Sequence, residues 1–312
     1  MCFFIINNIE VIYLNINNLL KIPFDDLSSS DESKIVNQLC KQLCVEFKKN
    51  DRSGIYARTQ KMMAYNSNKI EGSTLTSEQT ASLFHTGTIL SNGEIFRAKD
   101  IEEMTGHFSM FNEMIKSINI PLSEELIKKF HFRLKSGVFE DMANGYPVGK
   151  YKNRLNEVSN IETSRPDQVH ERMSQLLSEY NVSKPHCLEE LAWFHAEYEK
   201  IHPFQDGNGR TGRMILFREC LESGVIPVII TDKNKAEYYH SLNKAQTKND
   251  FTDLTYFFQQ EQREYHTSIQ DFLYKYDLDK IASLDHIIDE AKAEIDIERE
   301  KNTGKFIDEQ QK

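Results

Sequence analysis

Apolar side chains recur at three- and four-residue intervals along most of this chain, the period of helices that each bury one face. That spacing predicts helices over roughly 31–49, 55–71, 77–86, 95–117, 123–135, 167–180, 187–200, 210–223, 234–246 and 250–276. Only 7 prolines and 13 glycines interrupt the 312 residues, so the expected fold class is all-α. Ser30 stands where the first helix needs an N-cap, with Asp31 and Glu32 placed to favour its positive end.

The helical pattern fails in one long internal stretch. Ser136 to Pro166 holds Gly137, Gly145, Pro147 and Gly149 and has no 3.6-residue period. Irregular stretches of this length inside a compact domain are uncommon and tend to be functional. The neighbourhoods of Tyr151, Val158 and Ile161 alternate, which predicts a short β-hairpin. From about Leu273 the chain turns charged, and Ile281, Leu284, Ile288, Ala291 and Ile295 form a narrow 3-4-3-4 seam. That seam suits either a terminal helix docked on its own domain or a contact with a partner, a second copy of the chain included. No internal repeat is found.

Composition narrows the function classes. Hydrophobic residues make up 39% and charged residues 28%, an ordinary globular mixture. Acidic residues outnumber basic ones, 48 to 38, for a formal net charge of -10. Non-specific nucleic-acid binding needs a basic stripe, and this balance argues against it while leaving room for a local cationic pocket. The opening twenty residues are apolar but broken by Asn and Glu, without a basic start or a small-residue cleavage site, so they are not read as a signal peptide. No run suits a bilayer span. Cys2, Cys40, Cys44, Cys187 and Cys220 lack the paired spacing of a zinc site; Cys40 and Cys44 share a helix face as buried thiols. The set reads as reduced, and the expected location is cytoplasmic.

One stretch concentrates chemistry. Ile201 to Arg213 reads IHPFQDGNGRTGR and lies between an amphipathic helix containing Leu191, Trp193, Phe194 and Tyr198 and a second helix starting near Arg210. A helix start offers unpaired N–H groups and a partial positive charge, which together favour an anion. Gly207 and Gly209 let the backbone approach that anion. Asp206 supplies a hard carboxylate suited to Mg²⁺, Arg210 and Arg213 supply forked cations matched to phosphate oxygens, and His202 can accept a proton near neutral pH. Taken singly, each has a bland reading as a turn, a cap or a solvated charge. Within twelve residues they make the set that phosphoryl or nucleotidyl transfer needs.

HPFQDGNGRTGR matches the pattern HxFx(D/E)GNGRxxR of the Fic family at every fixed position, and the resemblance covers roughly residues 55–258. It implies a helical bundle with a small β-hairpin flap and transfer of AMP from Mg-ATP to a Ser, Thr or Tyr hydroxyl of a protein target. His202 would be the general base and Asp206 the Mg²⁺ ligand. Gly207, Asn208 and Gly209 would line the anion nest, Arg210 and Arg213 would meet the phosphates, and Thr211 and Gly212 fall in the same nucleotide-binding run. Asn156, Glu157, Val158 and Ser159 fall where the family's flap holds a target strand. Tyr238 and Tyr239 resemble the segment near the adenine, Tyr238 being the better stacking candidate, although both could equally be core aromatics. Gln246 stands where relatives place an Asn near the nucleotide. The implied organisation is an N-terminal extension over 1–54, a core over 55–259 and a charged helical tail over 260–312.

Ser67-Asn68-Lys69-Ile70-Glu71-Gly72 resembles the family's inhibitory pattern (S/T)xxxE(G/N). Independently, Glu71 closes a predicted helix ahead of a glycine, and a carboxylate is disfavoured there by the helix dipole, so a cation should compensate. The resemblance names Arg213 as that cation, which would deprive ATP of its γ-phosphate clamp. Removal of AMP, another donor on the same fold, and a non-enzymatic interaction module are the alternative readings. A homodimer is a further candidate, and the target protein is not legible.

Overall fold

The computed structural model describes residues 19, 21–89, 93, 95–156, 161–182 and 184–273. Eleven α-helices are found among them: α1 Ser29–Lys48, α2 Ile55–Ile70, α3 Ser77–Thr86, α4 Ala98–Lys116, α5 Glu124–Lys135, α6 Phe139–Ala143, α7 Val169–Tyr180, α8 Leu188–Ile201, α9 Asn208–Ser223, α10 Lys235–Lys248 and α11 Thr252–Leu273. No strand occurs among the described residues. The all-α class therefore stands. The hairpin flap is not seen, and Glu157, Val158 and Ser159 lie outside the described residues. So do the apolar opening and the seam from Ile281 to Ile295.

Short polar caps set several helix starts. Thr76 and Gln79 form a reciprocal capping box on α3, and Ser123 Oγ accepts from the amide of Leu126 on α5. The cap of α1 is Ser28 rather than Ser30: Ser28 Oγ accepts the Asp31 amide at 3.2 Å, which places Ser30 inside the first turn. The stretch after Ser136 is also less irregular than its sequence suggests, because Phe139–Ala143 forms one short helix. Five residues are too few to show a period.

At the centre lies α9, apolar or buried on nearly every side, as expected of a helix enclosed by others. It contacts α8, α5, α4, α2 and α1. A single cluster of buried apolar residues runs from Ile35 on α1 through Phe111, Phe130, Phe194 and Phe217 to Leu273 at the end of α11. The last helix thus runs straight across position 259 and shares its core with the rest. Cys40 and Cys44 are half-buried against this core, Cys220 is buried, and all are free thiols. Burial pushes the Cys40 thiol up to about 12, so it stays protonated and unreactive. No described helix is long and apolar enough to cross a membrane.

Candidate active site

The turn between α8 and α9 is built by backbone geometry that few residues tolerate. Helix α8 ends at Ile201, and His202 takes the left-handed conformation, φ 53 and ψ 62, uncommon outside glycine. Its ring is turned so that Nδ1 lies 3.3 Å from the carbonyl oxygen of Glu199. A carbonyl can only accept, so Nδ1 carries the proton and Nε2 keeps its lone pair. Burial, with Lys152 adding to it, lowers the His202 pKa to about 4. The ring is therefore neutral at physiological pH and able to take a proton.

Asn208 closes the turn. Its Oδ1 accepts from the Phe204 amide at 2.7 Å and its Nδ2 donates to the Phe204 carbonyl at 2.8 Å. Phe204 is fully buried and stacks on His131 of α5, with centroids 3.8 Å apart and planes 3° from parallel. His131 accepts from Gly149 N at Nδ1, so Nε2 donates to the carbonyl of Asp206, both at 2.9 Å. Burial holds His131 at about 3, which keeps this neutral tautomer in place. Gly207 then adopts φ 82 as the N-cap of α9, and the amides of the first turn face outward without intrahelical acceptors.

Asp206 is held by cations. Its Oδ2 lies 2.8 Å from Lys135 Nζ, and its Oδ1 lies 3.3 Å from Arg210 Nη2. Burial pushes the carboxyl up, but Arg210 and then Lys135 outweigh it and keep Asp206 ionised, well below the usual carboxylate range. Lys135, the last residue of α5 and nearly inaccessible, also contacts Glu103 at 2.6 Å and Asp141 at 2.8 Å. Glu103 meets Arg210 at 2.5 Å. The result is an alternating network of three carboxylates and two cations gathered from α4, α5, α6, the turn after α8 and α9.

Arg213 faces the opposite way, into the end of α2. Its Nε donates to Ser67 Oγ at 2.9 Å, and its Nη2 to Ser67 O at 3.0 Å and to Glu71 Oε1 at 2.6 Å. Burial pushes the Glu71 carboxyl up, yet Arg213 and then Arg210 overcome this and hold it below the ordinary value. The cation required beside a helix-terminal carboxylate is thus present. Gly209 makes the approach possible, because a Cβ there would sit 2.6 Å from Glu71 Oε1 and 2.9 Å from Arg213 Nη1. Gly72 follows with φ 88 and ends α2.

Not every expected residue reaches this cleft. Tyr238 does not offer a ring: it is 1% exposed, and its hydroxyl pairs with His195 Nε2 at 2.8 Å. The half-exposed ring belongs to Tyr239, 41% accessible and beneath Lys235. Gln246 donates to Ala196 O at 3.2 Å and ties α10 to α8. Thr211 is buried, and Gly212 lies against α8, where a Cβ would meet Glu199 Oε1 and the Tyr198 ring; these two serve helix packing instead of the nest. Of the expected flap residues, Asn156 is described, and its Nδ2 donates to Phe204 O at 2.9 Å.

Several contributors were not foreseen: Glu103, His131, Lys135, Lys152 and Glu199. Glu199 is almost fully buried, and burial raises its carboxyl to about 8 despite the opposing Arg213. A group whose folded value is raised costs stability progressively as pH climbs from its unfolded value, near 4.3, to the folded one. Glu199→Gln should therefore raise the melting temperature more at about pH 8.5 than at about pH 6. Equal gains at both, measured by calorimetry, would mean that Glu199 is already ionised in the folded protein.

Residues 121–219 match the model of the Fic/DOC family. Among curated proteins, the chain is 27% identical to protein adenylyltransferase fic-1 of Caenorhabditis briggsae over 190 residues, 59% of this chain and 36% of that protein. It is 26% identical to protein adenylyltransferase Fic of Nematostella vectensis over 187 residues, 58% of this chain and 42% of that one. The chain thus spans about two fifths of the length of these relatives. Among solved structures, a Fic-domain-containing signaling protein from Bacteroides thetaiotaomicron aligns with a TM-score of 0.63 at 23% identity, over 76% of this chain and 98% of the other. Fic-1 from Caenorhabditis elegans aligns with a TM-score of 0.56 at 22% identity, over 77% and 71%. At such identities the structural matches establish the fold.

Proposed function

Because residues 121–219 of this chain match the Fic/DOC family model, we propose that it is a protein adenylyltransferase that moves AMP from ATP to a Ser, Thr or Tyr hydroxyl and is held in check by Glu71. The observation that carries this reading is the pairing of a neutral His202 with an anion-ready helix start a few residues away. His202 Nε2, unprotonated, takes the proton of the incoming hydroxyl as its oxygen bonds to the α-phosphorus and pyrophosphate departs. The first-turn amides of α9, from Asn208 onward, receive the phosphate oxygens, and Arg210, anchored by Glu103, adds positive charge beside them.

Asp206 suits a magnesium ion that arrives with ATP. It is ionised and partly accessible, and no cluster of three metal-ligating side chains exists among the described residues. Mg²⁺ commonly takes one or two carboxylates and completes its shell with phosphates and water. When bound, the ion neutralises charge on the leaving pyrophosphate. Tyr239 is the aromatic candidate beside the adenine, and Asn156 belongs to the segment that would present the target strand.

In the observed state Glu71 occupies Arg213, the guanidinium that would clamp the terminal phosphate. The test is intact mass after incubation with Mg-ATP. Self-labelling by one AMP, enhanced without Glu71 and lost without His202, supports the proposal, whereas no adduct in any variant with any nucleoside triphosphate sinks it.

A further inference from the structure

One buried cation beside the catalytic turn has so far entered only through its charge on His202. Lys152 is 3% exposed, and among the described residues it forms no ion pair with a carboxylate. Burying an unpaired ammonium is expensive unless its donors are used. They are used by the two ends of one segment: Nζ donates to Asn156 Oδ1 at 2.6 Å and to Thr163 Oγ1 at 3.2 Å. Thr163 Oγ1 in turn donates to Asn156 O at 2.8 Å. With its Oδ1 engaged, the Asn156 amide must point its Nδ2 elsewhere, and it donates to the carbonyl of Phe204. The backbone repeats the attachment: Lys152 N donates to Pro203 O at 2.8 Å, and Ser164 N to Ile201 O at 3.3 Å. Three of these links, from Asn156 Nδ2, Lys152 N and Ser164 N, end on the carbonyls of Phe204, Pro203 and Ile201, the residues on either side of His202.

We propose that Lys152 is a positioning residue for the transfer: its ammonium clamps Asn156 and Thr163 together and seats both against the backbone of the catalytic turn. The inference rests on the transferase reading for its purpose, though the clamp itself does not depend on it. The charges that act on His202 at this corner are those of Lys152, Glu71 and Asp206, and Arg172 of α7 reaches Ser164 Oγ, next to Thr163, at 3.2 Å. The Lys152 charge disfavours protonation of His202, so the clamp also helps to keep the base neutral. Burial brings the Lys152 amine down to about 8, so its proton, and with it the clamp, should be lost just above neutral pH.

The test uses the full chain carrying Glu71→Gly as parent. Lys152→Met should slow AMP incorporation about ten- to hundredfold, the value of one hydrogen bond to a charged group. The parent rate should fall with pH around 8, and Lys152→Arg, whose charge does not titrate there, should keep activity and lose that fall. Amide hydrogen exchange over residues 153–165 should quicken in Lys152→Met and return toward the parent in Lys152→Arg. Labelling within twofold of the parent in Lys152→Met, or equal defects in both variants with the pH fall retained, overturns the proposal. If the parent takes up no AMP, the transferase reading fails, and exchange still decides the clamp: unchanged exchange in Lys152→Met ends it. Should Lys152→Met not fold, Thr163→Val removes one partner and gives the same exchange readout.

Discussion

Replacing Glu71 by glycine is expected to raise AMP incorporation by about 10- to 150-fold. The bond it removes is a hydrogen bond from a buried guanidinium to a partly exposed carboxylate, and bonds to charged groups contribute about 1.5–3 kcal/mol. If the braked and open states are separated by that amount, their ratio changes by the stated factor. The contact at stake is specific, 2.6 Å from Arg213 Nη2 to Glu71 Oε1. Glu71→Gln should give a smaller rise, since the amide can still accept from the guanidinium without its charge. His202→Ala in the Glu71→Gly background should lower the rate by about a hundred- to ten-thousandfold, the usual share of a general base. Intact-mass time courses with Mg-ATP read all three. An active wild type whose rate is unmoved by Glu71→Gly would end the brake and leave the transferase; a His202→Ala variant that labels normally would end the assigned base.

Lys135→Met should be the most damaging change outside the catalytic turn. Lys135 is the shared cation of Glu103, Asp141 and Asp206. Removing it leaves buried carboxylates facing one another, and breaking such a pair costs about 3–5 kcal/mol. In a domain of this size that corresponds to a fall of about 6–20 °C in melting temperature. Activity should fall further than the loss of folded protein explains, because Asp206 would lose its nearest cation and keep Arg210 at 3.3 Å and Lys99 at 3.9 Å. Asp206 and Glu103 both have folded values below their unfolded ones, so the stabilisation they confer is present above the unfolded carboxylate range and lost as pH falls through it and below. The Lys135→Met defect in melting temperature should accordingly persist down to about pH 4 and shrink only below it, toward about pH 2. A defect of the same size at that pH would point to lost packing and not lost charge.

The helices were legible because each repeats its apolar period over ten or more residues, and the motif because its parts are contiguous. What escaped is non-local or short. Lys135, Glu103 and Asp206 are brought together across gaps of 32 and 71 residues, and no local pattern marks residues so far apart. The helix Phe139–Ala143 is too brief to show a period. The exchange of Tyr238 for Tyr239 was readable in principle. On α10 the buried positions are Tyr238, Ser241, Leu242 and Ala245, the spacing of one helix face, which puts Tyr238 inward and Tyr239 outward. A count of that phase would have found the accessible ring.

The way Arg213 is anchored has a consequence for speed. Two of its three contacts to α2 go to Ser67, the side-chain oxygen and the carbonyl, and only one to Glu71. When the carboxylate withdraws, Ser67 still holds the guanidinium, with Nη1 over Gly209 at the start of α9. The side chain need not search rotamers before it meets an incoming triphosphate, so little ordering entropy remains to be lost on binding. If Glu71 is the brake proposed above, its withdrawal alone would leave the Arg213 guanidinium already placed for a triphosphate.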